Sequence, residues 1–192
     1  PSDGSWTSYE FYLTGGSGDG SNTLTFVGSG QANAQGASID NVEMYELIQG
    51  AGGDDSVLGD LGDDVIVAGA GEDTVRGGMG NDSILANSGN DSIYGNEGDD
   101  TILGGAGNDS IYGETGNDYV SGGVGDDSLE GNEGADTIIG GAGNDWVRGS
   151  FGNDSIEGNE GDDFLWGGYG DDTIVFADNF GDDTVEGEEA QE

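Results

Sequence analysis

Residues 104–112 read GGAGNDSIY and residues 140–148 read GGAGNDWVR. Both are copies of one nine-residue unit that runs through most of the chain. Its Asp recurs at Asp55, Asp64, Asp73, Asp82, Asp91, Asp100, Asp109, Asp118, Asp127, Asp136, Asp145, Asp154, Asp163 and Asp172 without a miss. A Gly stands two residues before each, from Gly53 to Gly170. An aliphatic residue stands two after each, beginning Val57, Ile66, Val75 and Ile84 and ending at Ile174. A further Gly usually follows four residues after the Asp, with Ala68 and Ala86 as mild exceptions. A period held through fourteen copies marks a stack of like units rather than a globule.

The unit resembles the G-G-x-G-x-D-x-U-x nonapeptide of the repeats-in-toxin (RTX) family, where U is a large aliphatic residue. The resemblance covers residues 46–175, about two thirds of the chain. It implies an all-β fold, a right-handed parallel β-roll (a solenoid) that binds calcium. It also implies a protein that leaves a Gram-negative bacterium unfolded, by type I secretion. The residues lead to the same geometry. In each unit x-U-x is expected to form a three-residue strand with its middle side chain inward and its flanks outward. The Gly-rich remainder is expected to turn, because residues without a Cβ reach φ > 0 and let carbonyls converge. Two strands and two turns make one coil of eighteen residues, so residues eighteen apart should stack at about 4.8 Å. Asp55, Asp73, Asp91, Asp109, Asp127, Asp145 and Asp163 then form one column, and Asp64, Asp82, Asp100, Asp118, Asp136, Asp154 and Asp172 the other.

Carboxylates stacked at that spacing repel one another unless cations lie between them. Calcium suits the donors best, since it takes six to eight hard oxygen ligands and the units offer carboxylates and turn carbonyls. Zinc and copper would want His or Cys, of which the chain has none, and magnesium would keep its waters. Six neighbouring pairs in each column give about twelve ions, which would bring the formal charge from −39 to about −15. One buried aliphatic per Gly-rich unit cannot offset the backbone entropy of ordering it. Ion binding is therefore expected to drive folding. Exposed sites of this kind bind at about 10⁻⁴–10⁻³ M, the extracellular regime.

Composition narrows the partners. Against 41 Asp and Glu there are only Arg76 and Arg148, so no basic patch exists to meet nucleic acid phosphates. No apolar run approaches transmembrane length, so direct membrane insertion is not expected. With no Cys, disulfides cannot staple the fold. Catalysis within the chain is not expected either: His and Cys are missing, no Ser sits in a nucleophile context, and nothing singles out a carboxylate pair.

Residues 1–45 lack the repeat. Tyr9, Phe11 and Leu13, then Leu24 and Phe26, then Ile39 to Tyr45 alternate as three short antiparallel strands would. The stretch SNTLTFVGSGQANAQGASIDNVEMYEL resembles the last strands of a carbohydrate-binding jelly roll; a simple β cap over the first coil is the alternative. Glu46 and Ile48 occupy the Asp and aliphatic offsets, so the roll should open there with a degenerate half-turn. The register breaks after Asp172, the next matching Asp being Asp183, eleven residues on rather than nine. TIVFADNFGDDTV, with Phe176 and Phe180, resembles the flank that closes such rolls, and residues 176–192 read as a cap and acidic tail.

The flanks of the buried aliphatics should form two outward faces. One carries Tyr94, Tyr112, Trp146, Arg148, Phe164 and Trp166; the other carries Val67, Leu85, Leu103 and Ile139, with Tyr119 nearby. The aromatics could meet a glycan or a neighbouring domain, or simply pack as cross-strand ladders. The expected function is a calcium-binding structural module of a secreted or cell-surface bacterial protein, such as an adhesin. The alternatives are the non-catalytic tail of a secreted protease, lipase or alginate epimerase, and a glycan-binding adhesin module. Ice binding would need a regular outward row of Thr and Asn. The positions three before each Asp read Leu61, Ala70, Met79, Ser88 and Glu97, which is no such row.

Overall fold

The structure, a computed structural model, describes residues 10–13, 22–25, 47–50, 52–176 and 181–187. Among these the chain is all β. Strands β1 (Glu10–Leu13) and β2 (Asn22–Thr25) pair antiparallel, with Glu10 opposite Thr25 and Leu13 opposite Asn22. The third expected strand, Ile39 to Tyr45, lies outside the described residues, as do Glu46, Phe180, residues 188–192 and most of the jelly-roll-like stretch.

The repeat folds as a parallel β-solenoid of about eight turns. Two eight-stranded parallel sheets face each other, and the chain alternates between them at every unit. From β4 (Ser56–Leu61) to β16 (Phe164–Tyr169), six-residue strands begin every nine residues. One sheet runs from β4 to β16 in alternate strands and ends on β18 (Thr184–Glu186). The other starts at β3 (Leu47–Gln49), continues with β5 (Val65–Ala70), and ends on β17 (Thr173–Val175). Each strand pairs with the one eighteen residues away, so Ile93, Ile111 and Leu129 stack in one sheet and Ile102, Val120 and Ile138 in the other. At the entrance Ile48 pairs with Ile66.

The core is a single double row of aliphatics, one from each unit, fully buried from Ile66 through Leu165. Val and Ile suit these positions because a β-branched side chain packs well on a pleated surface. The strands differ from expectation in length. The ladder continues past x-U-x through three more residues, where a turn was expected. The fifth strand residue makes this possible by taking a left-handed φ while staying in register. Gly fills that place at Gly105 and Gly123, with φ +120° and +115°. Asn96 and Asn132 fill it at +79° and +78°, Asn being the residue besides Gly that visits this region most readily. Glu114 fills it at +82° with no such tolerance. The Gly four after each Asp answers another constraint: a Cβ on Gly113 would collide with the Asp118 carboxylate and the Gly131 carbonyl.

At the far end Phe176 keeps 52 % of its surface exposed, so it covers the last coil only in part.

Candidate metal centre

Each repeat Asp stands immediately before a strand, where the chain passes from turn to ladder, and after the first member of each column its carboxylate reaches back to the preceding coil. The structure places the fourteen Asp residues in two columns of eighteen-residue steps. In one, Asp55, Asp73, Asp91, Asp109, Asp127 and Asp145 each donate a backbone N–H to Oδ1 of the next member, at 2.7–2.9 Å, as far as Asp163. In the other, Asp64, Asp82, Asp100, Asp118, Asp136 and Asp154 do the same at 2.7–3.0 Å, as far as Asp172. From Asp64 to Asp163 every member is at most 3 % exposed.

In the interior members of both columns Oδ1 is thus satisfied, and Oδ2 is not. In Asp73, Asp82, Asp91, Asp100, Asp109, Asp118, Asp127, Asp136, Asp145, Asp154 and Asp163, Oδ2 is buried with no hydrogen-bond partner. One such oxygen in a core is costly, and a full column of them needs another explanation. In Asp82, Asp100, Asp109, Asp118, Asp127, Asp145 and Asp154, Oδ2 faces a small glycine cradle, whereas Ala68 and Ala86 hold that place before Asp73 and Asp91. Asp100 Oδ2 and the Gly113 carbonyl both crowd the point where a Gly95 side chain would stand; Asp109 Oδ2 and the Gly122 carbonyl do so at Gly104, and Asp145 Oδ2 and the Gly158 carbonyl at Gly140. Carboxylate and carbonyl oxygens thus converge where no side chain intrudes. Among the described residues no three or more His, Cys, Asp or Glu side chains gather at one point. An ion held here would take carboxylates from neighbouring coils and complete its shell with carbonyls. Hard oxygens in that number suit calcium.

The electrostatics agree. Burial pushes the carboxyls of Asp100, Asp127 and Asp136 up to about 7, and those of Asp109, Asp118 and Asp145 up to about 6. Neighbouring carboxylates push the same way, Asp118 and Asp82 on Asp100 for example, while the accepted backbone N–H opposes them. Burial is also the leading cause of the upward shifts at Asp73, Asp82, Asp91, Asp154 and Asp163. Such carboxylates are poised to take up either a proton or a cation.

One residue that the sequence reading noted but did not place among the ligands, and one feature that it missed, appear in the structure. Asp183 joins the first column: the Asp163 N–H reaches its Oδ1 at 3.1 Å, and its Oδ2 is likewise buried and unpartnered. The signal was present in GDDTV, where Gly181 and Val185 keep the unit's offsets from Asp183. Outside the columns runs a second, exposed ladder from the residue before each Asp. It has the opposite polarity: Asn108 N–H donates to Asn90 Oδ1, and Asp126 N–H to Asn108 Oδ1. Ala135 receives support from Asn117 and offers no acceptor onward.

The outward aromatics pack on one another. Tyr94 and Tyr112 stack at 5.1 Å and 9°, and Trp146 and Phe164 at 6.4 Å and 4°. Arg76 lies 4.8 Å over Tyr94, and Arg148 lies 4.3 Å over Trp166 while pairing with Glu130 at 3.3 Å.

Seven overlapping segments, 49–84, 76–111, 85–120, 94–129, 112–147, 121–156 and 148–185, match the family model described as the RTX calcium-binding nonapeptide repeat, in four copies. Together they span residues 49 to 185. No curated protein matches the chain.

Proposed function

We propose that this chain, which belongs to the family of RTX calcium-binding nonapeptide-repeat proteins, is a structural module that folds when calcium fills its two Asp columns outside the cell. The repeat itself is a calcium-binding module, and calcium supplies the positive charge and the multi-oxygen coordination that link neighbouring coils. The observation that carries the reading is the row of buried, unpartnered Oδ2 atoms repeated coil after coil. In this reading the ligands are the fourteen repeat Asp residues and Asp183, each pair of column neighbours sharing one ion with turn carbonyls. Adding the Asp163–Asp183 step to the twelve pairs gives about thirteen sites.

The role of the chain's own residues follows from their positions. Asp N–H to Oδ1 contacts hold the coils in register, the aliphatic double row excludes water, and the Gly positions keep the cradles open. Without cations the columns bring buried carboxylates close together, which opposes folding at neutral pH. Secretion is part of the proposal: sites with affinities near 10⁻⁴–10⁻³ M stay empty in a cytoplasm and fill outside, so the chain would pass an export channel unfolded. Glycan binding finds less support, because the Tyr94 and Tyr112 rings that could stack on a sugar cover each other.

The test is circular dichroism during a calcium titration at neutral pH. The signal should pass from coil to β and return on adding chelator. A chain equally β-rich in excess chelator would end this reading.

A further inference from the structure

Fourteen places lie five residues before a repeat Asp, and twelve of them hold Gly. Ala68 and Ala86 hold the other two, before Asp73 and Asp91. They stand on β5 and on the next strand of the same sheet, Ser83–Ser88. Gly104 takes the same ladder place one coil further on, since Leu85 pairs with Leu103 and Asn87 with Gly105. Both Ala residues are fully buried. The second column has Gly at every such place, from Gly59 to Gly167.

The glycines show what a methyl does there. A Cβ on Gly104 would collide with the Asp109 carboxylate and come 2.7 Å from the Gly122 carbonyl. One on Gly122 would meet the Asp127 carboxylate and the Gly140 carbonyl in the same way. Ala68 and Ala86 carry that methyl, so the oxygens that converge elsewhere must stand back. The donors themselves are kept: Asp73 Oδ2 and Asp91 Oδ2 are buried and unpartnered like the rest. The coils also stay in register, the Asp73 N–H reaching Asp91 Oδ1 at 2.7 Å and the Asp91 N–H reaching Asp109 Oδ1 at 2.9 Å. Only the room between the oxygens is reduced.

We infer, on the reading that column neighbours share calcium, that Ala68 and Ala86 set two weak sites side by side, the steps Asp73–Asp91 and Asp91–Asp109. A methyl supplies no ligand, and a close-packed strand gives it nowhere to go. One methyl too many in a packed place weakens binding about tenfold. Both steps share Asp91, so the first column parts there first as calcium falls, while the second column still joins the same coils. Each coil is stabilised by its neighbours alone. The coils before Asp91 therefore loosen at a calcium level that leaves the remainder loaded. The roll carries a calcium-threshold joint, and the two Ala residues set its threshold.

Rapid mixing of the calcium-loaded chain with a fluorescent chelator tests this. About two ions per chain, of about thirteen, should leave in a separate phase roughly tenfold faster than the rest. Ala68→Gly combined with Ala86→Gly should abolish that phase, keep the total and lower the calcium midpoint for folding. The sign separates the explanations. Two buried methyls lost and two Gly gained cost packing and backbone entropy, so a purely structural role for these Ala residues raises the midpoint. Gly104→Ala combined with Gly122→Ala should act in reverse and add about two ions to the fast phase. If that variant fails to fold, the Gly substitutions decide alone. A single release phase in the wild type, a fast phase that survives both Gly substitutions, or a midpoint that does not fall overturns the inference. A chain that releases no calcium at all overturns the calcium reading instead, so the two failures are distinct.

Discussion

Asp163 donates its backbone N–H to Asp183 Oδ1 at 3.1 Å across twenty residues, where its predecessor Asp145 reaches Asp163 across eighteen. The two extra residues are absorbed between Val175, still paired eighteen residues back with Glu157, and Gly181, whose N–H meets the Gly161 carbonyl at 3.0 Å. The solenoid thus tolerates the insertion, because pairing on either side of it, Val175 with Glu157 before and Thr184 N–H to the Asp163 carbonyl at 2.7 Å after, keeps the coils stacked. A site should exist at the joint, and it can be counted.

Asp183→Ala should lower the calcium bound at saturation by about one ion per chain from a total near thirteen. Equilibrium dialysis with metal analysis measures this. An unchanged count would mean that the column ends at Asp163.

Protons should substitute for calcium. Burial raises the carboxyls of Asp100, Asp127 and Asp136 to about 7 and those of Asp109, Asp118 and Asp145 to about 6, against an ordinary value of 3.8. The folded chain then binds protons more tightly than the unfolded one between those limits. Stability of the metal-free roll is accordingly greatest below about pH 4 and is lost as pH rises through 6 to 7. In chelator, circular dichroism of a dilute sample should show β structure in acid and coil at neutral pH. With calcium the dependence reverses, since protons compete for the same oxygens. A metal-free chain equally unfolded in acid would contradict this.

Glu114→Asn should stabilise the roll. Glu114 holds φ +82° in a strand position that its ladder neighbours fill with Asn96 and Asn132. A left-handed φ costs an ordinary residue about 1 kcal/mol and costs Asn less. The calcium midpoint for folding should fall modestly, and an unchanged or raised midpoint would show that Glu114 contributes something that offsets its strain.

Much of this architecture was legible because one residue per unit is chemically irreplaceable. The Asp at each ninth position and the aliphatic two further on place both columns and the core, and Ile93 opposite Ile111 is where the eighteen-residue coil puts it. Strand length was harder to read. Gly suggested a turn, whereas Gly123 and Asn132 keep the ladder going at positive φ, a conformation composition does not reveal. Asp183 was legible as the next matching Asp, but its eleven-residue step reads as a break in register, so it was not counted in the columns. The outer ladder of Asn90, Asn108 and Asp126 was visible as letters but not as structure. Its Asn, Asp, Glu and Ala members share no charge, only a side-chain oxygen in most coils that can accept an N–H.

Position along the column should decide how much a lost carboxylate costs. Asp109 accepts the Asp91 N–H and donates its own N–H to Asp127, and its Oδ2 faces the cradle at Gly104. Asp172 stands at the end of its column and accepts from Asp154. In a solenoid each coil is stabilised by its two neighbours only, so damage in the middle splits the stack and damage at an end shortens it. Asp109→Ala removes a ligand from two proposed sites and a register contact between coils, whereas Asp172→Ala or Asp55→Ala removes a ligand from one. The calcium midpoint for folding, followed by circular dichroism, should therefore rise well above wild type for Asp109→Ala and only slightly for the two end variants. The ranking has a kinetic alternative. If folding begins at the last coils, where β17 and β18 close the two sheets, Asp172→Ala would be the most damaging of the three. Equal midpoints for all three would mean that the coils bind ions independently, and the shared-ion columns would have to be abandoned.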